Sequence, residues 1–282
     1  MDKKSILITG CSSGIGLCAA EGLARRGYRV FATARRPADV EMLAGRGLES
    51  LRLDIADPDS IRDAVDEILR RTGGTLDALF NNAGYGQPGA VEDLRREVLR
   101  QQFETNVFGT IELTNRLIPV MRAQGGGRIV INSSLLGYVS LPFRGAYNAT
   151  KYALEGFADT LRLELRGSGI HVCLVEPGPI ASRFRANAHQ MFKRNVDAEA
   201  SFFRDTYRAM ENRLTKPGPA APFTLGPEAV LDKVIHALES RHPKIRYPVT
   251  FPAHLFAALK RMLPGRALDR VMGGVGEGEN RK

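Results

Sequence analysis

A short apolar run, Ser5-Ile6-Leu7-Ile8, breaks into Thr9-Gly10-Cys11-Ser12-Ser13-Gly14-Ile15-Gly16 and then at once into Leu17-Cys18-Ala19-Ala20-Glu21-Gly22-Leu23-Ala24. Few arrangements satisfy that order. The first run reads as a strand buried on both faces, the last as a helix closing at Gly27, and the glycines between them as the joining turn. A helix that starts directly after such a turn presents free N–H groups and the positive end of its dipole, and glycine lets the backbone approach a ligand closely. The stretch therefore reads as a diphosphate site opening a βαβ unit, with the spacing G-x-x-x-G-x-G in place of the commoner G-x-G-x-x-G. A plain glycine turn without a ligand fits the same residues, so the rest of the chain decides between them.

Downstream, Tyr28-Arg29-Val30-Phe31-Ala32-Thr33 reads as a second strand, Leu51-Arg52-Leu53-Asp54 as a third and Leu76-Asp77-Ala78-Leu79-Phe80 as a fourth. Residues 128–132 and 170–175 supply a fifth and a sixth, and Ile245-Arg246-Tyr247 a return strand. Helical segments are expected around residues 61–70, as one long region over 94–124, and over 227–240. Strands and helices alternating in this way predict the α/β class, a doubly wound parallel sheet of about seven strands with helices on both faces. With 282 residues and no composition break, the chain reads as one catalytic domain over residues 1–250 followed by an extension over 251–282. That extension interleaves Leu, Phe, Met and Val with Lys260, Arg261, Arg266 and Arg270 up to residue 272, and its last ten residues, 273–282, are expected to be disordered. The stretch of residues 180–222 is rich in Phe and Arg and has no strand pattern. Following a strand end, it predicts a lid over the ligand crevice, spanning about 180–225.

The formal charge of +9 invites a nucleic-acid reading, but the basic residues are scattered, as at Arg25, Arg70, Arg122 and Arg204, with no single run, so no nucleic-acid partner is expected. Cys11, Cys18 and Cys173 form no CxxC, and the five histidines show no ligand spacing; neither a disulfide framework nor a metal is expected. Asp2-Lys3-Lys4 leads directly into a strand, and nothing offers about 18 uninterrupted apolar residues, so neither a signal peptide nor a membrane span is expected and a reducing cytoplasm fits best.

The chemistry-bearing residues fall at strand ends. Ala34-Arg35-Arg36 stands where a fold of this type that binds NAD offers an acid to the adenosine ribose. Two guanidiniums without a carboxylate suit a 2′-phosphate, although two solvated surface arginines read the same way. After the fourth strand comes Asn81-Asn82-Ala83-Gly84, in which the small residues permit close approach of a flat ligand and the amides suit backbone or cofactor. Asn106, in mid-helix, is unfavourable by propensity and so has a structural hydrogen bond or a job. Ser133-Ser134 delivers a hydroxyl at the end of the fifth strand, and Tyr147-Asn148-Ala149-Thr150-Lys151 places a phenol and an ammonium one helical turn apart. A phenol has a pKa of roughly 10, and a nearby ammonium brings it toward neutral pH, where acid-base catalysis works best.

Taken together and in this order, Thr9-Gly10-x-x-x-Gly14-x-Gly16, Asn81-Asn82-Ala83-Gly84, Asn106, Ser134, Tyr147-x-x-x-Lys151 and Pro177-Gly178 resemble the short-chain dehydrogenase/reductase family, with its Rossmann fold, over about residues 5–250. The resemblance implies that Tyr147 is the acid-base residue, that Lys151 bonds the nicotinamide ribose and lowers the tyrosine pKa, that Ser134 positions the substrate oxygen, and that Asn106 holds a water in a proton relay. It also implies diphosphate contacts at Gly10, Ser13, Gly14, Ile15 and Gly16. Around the adenosine it places Arg35, Asp54, Asn82 and Ala83, with Gly84 beside them, and near the nicotinamide Pro177, Gly178, Ile180 and Ser182. Ser182 stands where the family usually has Thr, and Thr150 where it usually has Ser; both keep a hydroxyl. The second-strand end, the long lid and the extension look most like the 17β-hydroxysteroid and retinol dehydrogenase-like members. The implied activity is NADP(H)-dependent interconversion of an alcohol and a carbonyl on a bulky lipophilic substrate, in a homodimer or homotetramer. The apolar walls expected for it are Leu135, Leu136, Val139, Leu141 and Phe143 with Phe184, Met191, Phe192, Phe202 and Phe203 of the lid. Residues 251–272 suit extending the pocket wall, packing in the core or on a partner subunit, which is favoured, or weak contact of their basic amphipathic face with an anionic membrane. The rival reading is a sensor of the same fold that binds NADP(H) without turnover, which the intact Ser134, Tyr147 and Lys151 oppose. A nucleotide-sugar epimerase shares Tyr-x-x-x-Lys but usually has a longer chain with a C-terminal sugar domain.

Overall fold

Successive residues of the first strand, β1 (Ser5–Ile8), face opposite sides of one sheet, so Ile6 and Ile8 join one apolar layer and Leu7 the other. The split repeats in β2 (Arg29–Ala34), where Val30 and Ala32 lie on the first side and Phe31 on the second. Between β1 and β2 runs α1 (Gly14–Arg25), and after them come α2 (Pro37–Ala44), β3 (Glu49–Arg52), α3 (Pro58–Thr72) and β4 (Ala78–Asn81). Both layers are covered by helices, which is why the strands read as continuous apolar runs. The computed structural model describes residues 3–219 and 221–280.

Beyond β4 the expected single long helix is three pieces: α4 (Arg96–Phe103), a π-helical turn over Glu104–Phe108, and α5 (Gly109–Ala123). Gly109, at the seam, presses so closely on the loop after β3 that a Cβ there would lie 1.6 Å from the Ile55 carbonyl oxygen. The chain continues through β5 (Gly127–Asn132), α6 (Gly145–Glu164) and β6 (Ile170–Pro177). It closes with α7 (Phe184–Asn195), α8 (Arg204–Thr215), α9 (Glu228–Glu239), β7 (Arg246–Val249), α10 (Phe251–Met262) and α11 (Gly265–Asn280). Among the described residues all seven strands pair in parallel, in the order β3-β2-β1-β4-β5-β6-β7. The strand order reverses between β1 and β4, and a crevice at the carboxyl ends beside that reversal is where a doubly wound sheet binds its ligand.

The lid is tied at both ends: Ala181 N donates to the Leu225 carbonyl at 2.8 Å and Leu225 N to the Pro179 carbonyl at 3.2 Å. Between these ties α7 and α8 lay Phe192, Tyr207 and Met210 against Leu94, Val98 and Ala146 of the body.

At the C-terminus the structure corrects one expectation. The stretch from residue 273, read as disordered, continues α11 as far as Asn280, while residues 281–282 lie outside the described residues. Leu268, Met272 and Val275 recur at helical spacing and pack with Ala253 and Phe256 of α10 on Leu135, Leu136, Val139 and Leu141. The four glycines between 273 and 278 hide that period in the sequence, yet Gly276 is a close approach, since a Cβ there would lie 2.3 Å from Pro142.

Candidate active site

The glycine loop leaves β1 through Gly10 and enters α1 through Gly14, both in the left-handed region at φ 72° and 57°. A Cβ on Gly10 would lie 2.9 Å from Ala83 Cα, and one on Gly16 would lie 2.3 Å from the Gly10 carbonyl oxygen, so these positions require glycine for packing as well. Ser13 caps α1 in extended conformation without a side-chain bond, and no acid stands in the first turn. Backbone N–H groups at Gly14, Ile15 and Gly16, at the positive end of a helix and free of acidic side chains, are the donor set that a diphosphate needs.

Thr9, buried at the end of β1, holds the next strand end in place: its hydroxyl accepts hydrogen bonds from Asn82 N and Ala83 N, both at 2.9 Å. The Asn82 amide is used internally. It donates to the Thr9 carbonyl at 2.9 Å, while its oxygen accepts from the Asn132 amide at 2.9 Å. Of the alternatives that the sequence left for the asparagine amides, Asn82 therefore takes the structural one. Arg35 and Arg36 follow β2, exposed and without an ion-pair partner among the described residues. Asp54 stands nearby, just past β3, because Leu53 N donates to the Ala34 carbonyl at 3.0 Å; one Asp54 oxygen accepts from Ala56 N at 3.2 Å.

Asn106 sits in the π-helical turn, where its amide clasps Tyr85 from both sides. Its oxygen accepts from Tyr85 N at 3.1 Å, and its nitrogen donates to the Tyr85 carbonyl at 2.9 Å and to the Thr150 hydroxyl at 3.1 Å. A Cβ on Gly84 would approach the Asn106 oxygen to 3.1 Å. The side chain thus has a structural task, one that joins the segment after β4 to α6.

Ser134 ends the β5 segment, buried, with its hydroxyl accepting from Leu136 N at 3.1 Å and lying 3.4 Å from the Pro177 carbonyl. Tyr147 and Lys151 share one face of α6. The Lys151 ammonium donates to the Asn132 carbonyl at 2.6 Å and stands 5.6 Å from the centre of the Tyr147 ring. Burial pushes the Tyr147 phenol up to about 12, against the lowering effect of its hydrogen bond with Ser134 and of the Arg144 charge. Burial likewise lowers Lys151 to about 8, opposed by Glu155. Desolvation is the first cause for both groups, and the ammonium is directed at a backbone carbonyl.

Gly178 N donates to the Val249 carbonyl at 2.9 Å, and a Cβ on Gly178 would lie 2.1 Å from the Thr250 hydroxyl. Pro177 is the last residue of β6, Ile180 pairs with Leu225 at the root of the lid, and Ser182 reaches across to the glycine loop, where a Cβ on Gly14 would lie 2.9 Å from its own Cβ. The residues expected at the cofactor and the reacting oxygen thus meet along one row of strand ends. The apolar walls are narrower than expected. Phe143, Phe192 and Phe203 pack the lid on the body, Phe202 is 90% exposed, and Phe184 has its ring against Tyr147. Thr9 entered the sequence reading only as the head of the glycine motif, and neither it nor Asn132 was given a role. Their signal was that each is a polar residue closing a buried apolar strand next to a motif.

The chain matches the model of the family described as short chain dehydrogenase over residues 4–193. It is 47% identical over 272 residues to "Uncharacterized oxidoreductase YbbO" of Escherichia coli (strain K12), covering 96% of this chain and 95% of that one. It is 32% identical over 280 residues to "Retinol dehydrogenase 8" of Bos taurus, covering 94% and 87% of the two chains. A third relative, "NADPH-dependent 3-dehydrocapnine reductase" of Ornithobacterium rhinotracheale, is 32% identical over 274 residues, with 94% of each chain covered.

Proposed function

The chain belongs to the short-chain dehydrogenase family, and on that premise we propose that it is an NADP(H)-dependent oxidoreductase that interconverts an alcohol and a carbonyl on a bulky apolar substrate. The observation that carries the reading is the meeting of the Ser134 hydroxyl, the Tyr147 phenol and the Lys151 ammonium at adjoining strand ends. When bound, the nicotinamide supplies or accepts a hydride at its C4. Ser134 hydrogen-bonds the substrate oxygen and Tyr147 gives or takes its proton. Tyr147 gives that proton when a carbonyl is reduced and takes it back when an alcohol is oxidised. Lys151 serves the nicotinamide ribose and Asn106 the proton path.

For NADP(H) over NAD(H), the support is the exposed Arg35 and Arg36 with Ala34 where an acid would stand, and a relative whose name includes NADPH. For an apolar substrate it is Phe184 beside Tyr147, the Leu135–Leu141 stretch under the C-terminal helices, and a retinol dehydrogenase among the relatives. The three free cysteines fit a cytoplasmic setting. Exposed Phe108 on the π-helical turn and Phe157 on α6 supply an apolar face for a homodimer or tetramer; sedimentation at micromolar concentration checks the pairing, and a monomer overturns it.

Oxidation of NADPH and of NADH with a panel running from short aldehydes to long-chain and cyclic ketones tests the whole. The expected result is NADPH-linked turnover that Tyr147→Phe abolishes while NADPH binding is retained. Turnover lowered only a few-fold in that variant would overturn the acid-base assignment. NADPH binding without turnover of any carbonyl would favour the sensor reading.

A further inference from the structure

Phe184 opens α7, and its ring meets that of Tyr147 edge to face, with centroids 5.3 Å apart and planes at 61°. The same ring also meets Gly86. A Cβ there would stand 2.8 Å from Phe184 Cζ, 3.1 Å from Cε1 and 3.8 Å from Cε2, so the three nearest atoms all belong to this one ring. Gly86 is buried and absent from the positive-φ glycines, so its backbone does not require glycine. It cannot give way easily either, because Tyr85 beside it is clasped on both sides by Asn106. The absence of a side chain at residue 86 thus makes a seat for the Phe184 ring.

The ring is held over the phenol from the lid side as well, where Phe184 N donates to the Ser182 hydroxyl at 3.3 Å. The residue is 40% exposed although its ring rests against Tyr147, so part of it stays open to an incoming molecule. An apolar group carried by a carbon whose oxygen sits at the Tyr147 hydroxyl meets this ring first.

We propose that Phe184, seated on Gly86, is the specificity-determining residue of the site: an aromatic clamp that selects carbonyls bearing a bulky apolar group next to the reacting carbon. This rests on the oxidoreductase reading for what is being bound. The clamp itself stands on the contacts with Tyr147 and Gly86. Discrimination on apolar bulk is worth roughly 10–200-fold in kcat/KM for a group the size of a methylene or a little more.

Phe184→Ala, Gly86→Ala and the double variant test it, with butanal as the small carbonyl and cyclohexyl ethyl ketone as the bulky one. Each single variant should lower the ratio of kcat/KM for the ketone to kcat/KM for butanal at least ten-fold, through the KM for the ketone. The double variant should be no worse than Phe184→Ala, because without the ring a methyl at residue 86 has nothing to displace. Thermal unfolding should show the same pattern, with Gly86→Ala destabilising only while Phe184 is present. Equal losses on both substrates, or additive losses in the double variant, overturn the clamp. Calorimetric titration of the ketone into the protein mixed with NADP reads the clamp without turnover. Binding by the wild type, lost in both single variants, upholds it even where no carbonyl is reduced, an outcome that would instead sink the oxidoreductase reading; no binding by the wild type overturns the clamp.

Discussion

Lys151 donates its 2.6 Å hydrogen bond to the backbone carbonyl of Asn132, the last residue of β5, and not to the phenol one turn before it. The ammonium is thereby fixed to the sheet, and Tyr147 rides on the same helix at 5.6 Å from it. One neutral carbonyl is a thin replacement for water around a buried cation, which is why burial brings Lys151 down to about 8.

That depression has a measurable sign. A lysine whose folded pKa lies below its unfolded value near 10.5 contributes its full stability above pH 10.5 and loses it as pH falls through about 8. Measured by urea denaturation, the wild type should therefore gain stability relative to Lys151→Met as pH rises from 8 to 10, by up to roughly 3 kcal/mol over the whole window. A difference that is flat with pH contradicts the burial argument.

Arg35 should set cofactor choice. A charge-assisted contact from an exposed guanidinium to a 2′-phosphate is worth roughly 1.5–3 kcal/mol, or about one to two decades in affinity. Arg35→Ala should narrow the gap between NADPH and NADH dissociation constants by that factor and leave NADH binding nearly unchanged. Equal wild-type affinity for the two cofactors would show that Arg35 and Arg36 are only solvated surface charges.

Much of this architecture was legible in the sequence because its signals are local. Continuous apolar runs marked strands covered on both faces, and polar residues at their ends marked the crevice. Ser134, Tyr147 and Lys151 were found because helix period and strand end are read directly from spacing. The roles of Thr9, read only as the head of a motif, and of Asn132 were not, since they depend on partners roughly seventy-three and nineteen residues away. Asn106 gave half its answer: a mid-helix asparagine signals a local hydrogen bond, but the π-helical turn that lets it reach Tyr85 and Thr150 has no period to read. Only the last turns of α11, beyond residue 272, were misread, because glycine frequency outweighed the spacing of Met272 and Val275, which pack with residues 135–141 more than a hundred positions earlier.

The same extension yields the last prediction. The inner face of α10 is fixed, with Ala253 buried and its carbonyl accepting from the Tyr138 hydroxyl at 2.6 Å. On the outer face Phe251, Leu255 and Met262 recur at i, i+4 and i+11 and are 56%, 40% and 68% exposed. Phe223 continues the stripe, its ring 5.1 Å from that of Phe251. No acidic residue occurs in α10, while His254, Lys260 and Arg261 lie exposed along it. An apolar stripe on a helix whose charged residues are all basic suits an anionic lipid surface better than the same helix of a second copy, which would bring like charges together. No helix among the described residues is long and apolar enough to cross a bilayer, so the contact would be peripheral. The chain should therefore co-sediment with vesicles containing phosphatidylglycerol, bind those of phosphatidylcholine alone at least several-fold less, and release as salt rises. Leu255→Glu with Met262→Glu should abolish the association and leave turnover of a short, water-soluble carbonyl unchanged. Equal binding to both vesicle types, or binding that survives the paired substitution, would leave the stripe without a lipid role.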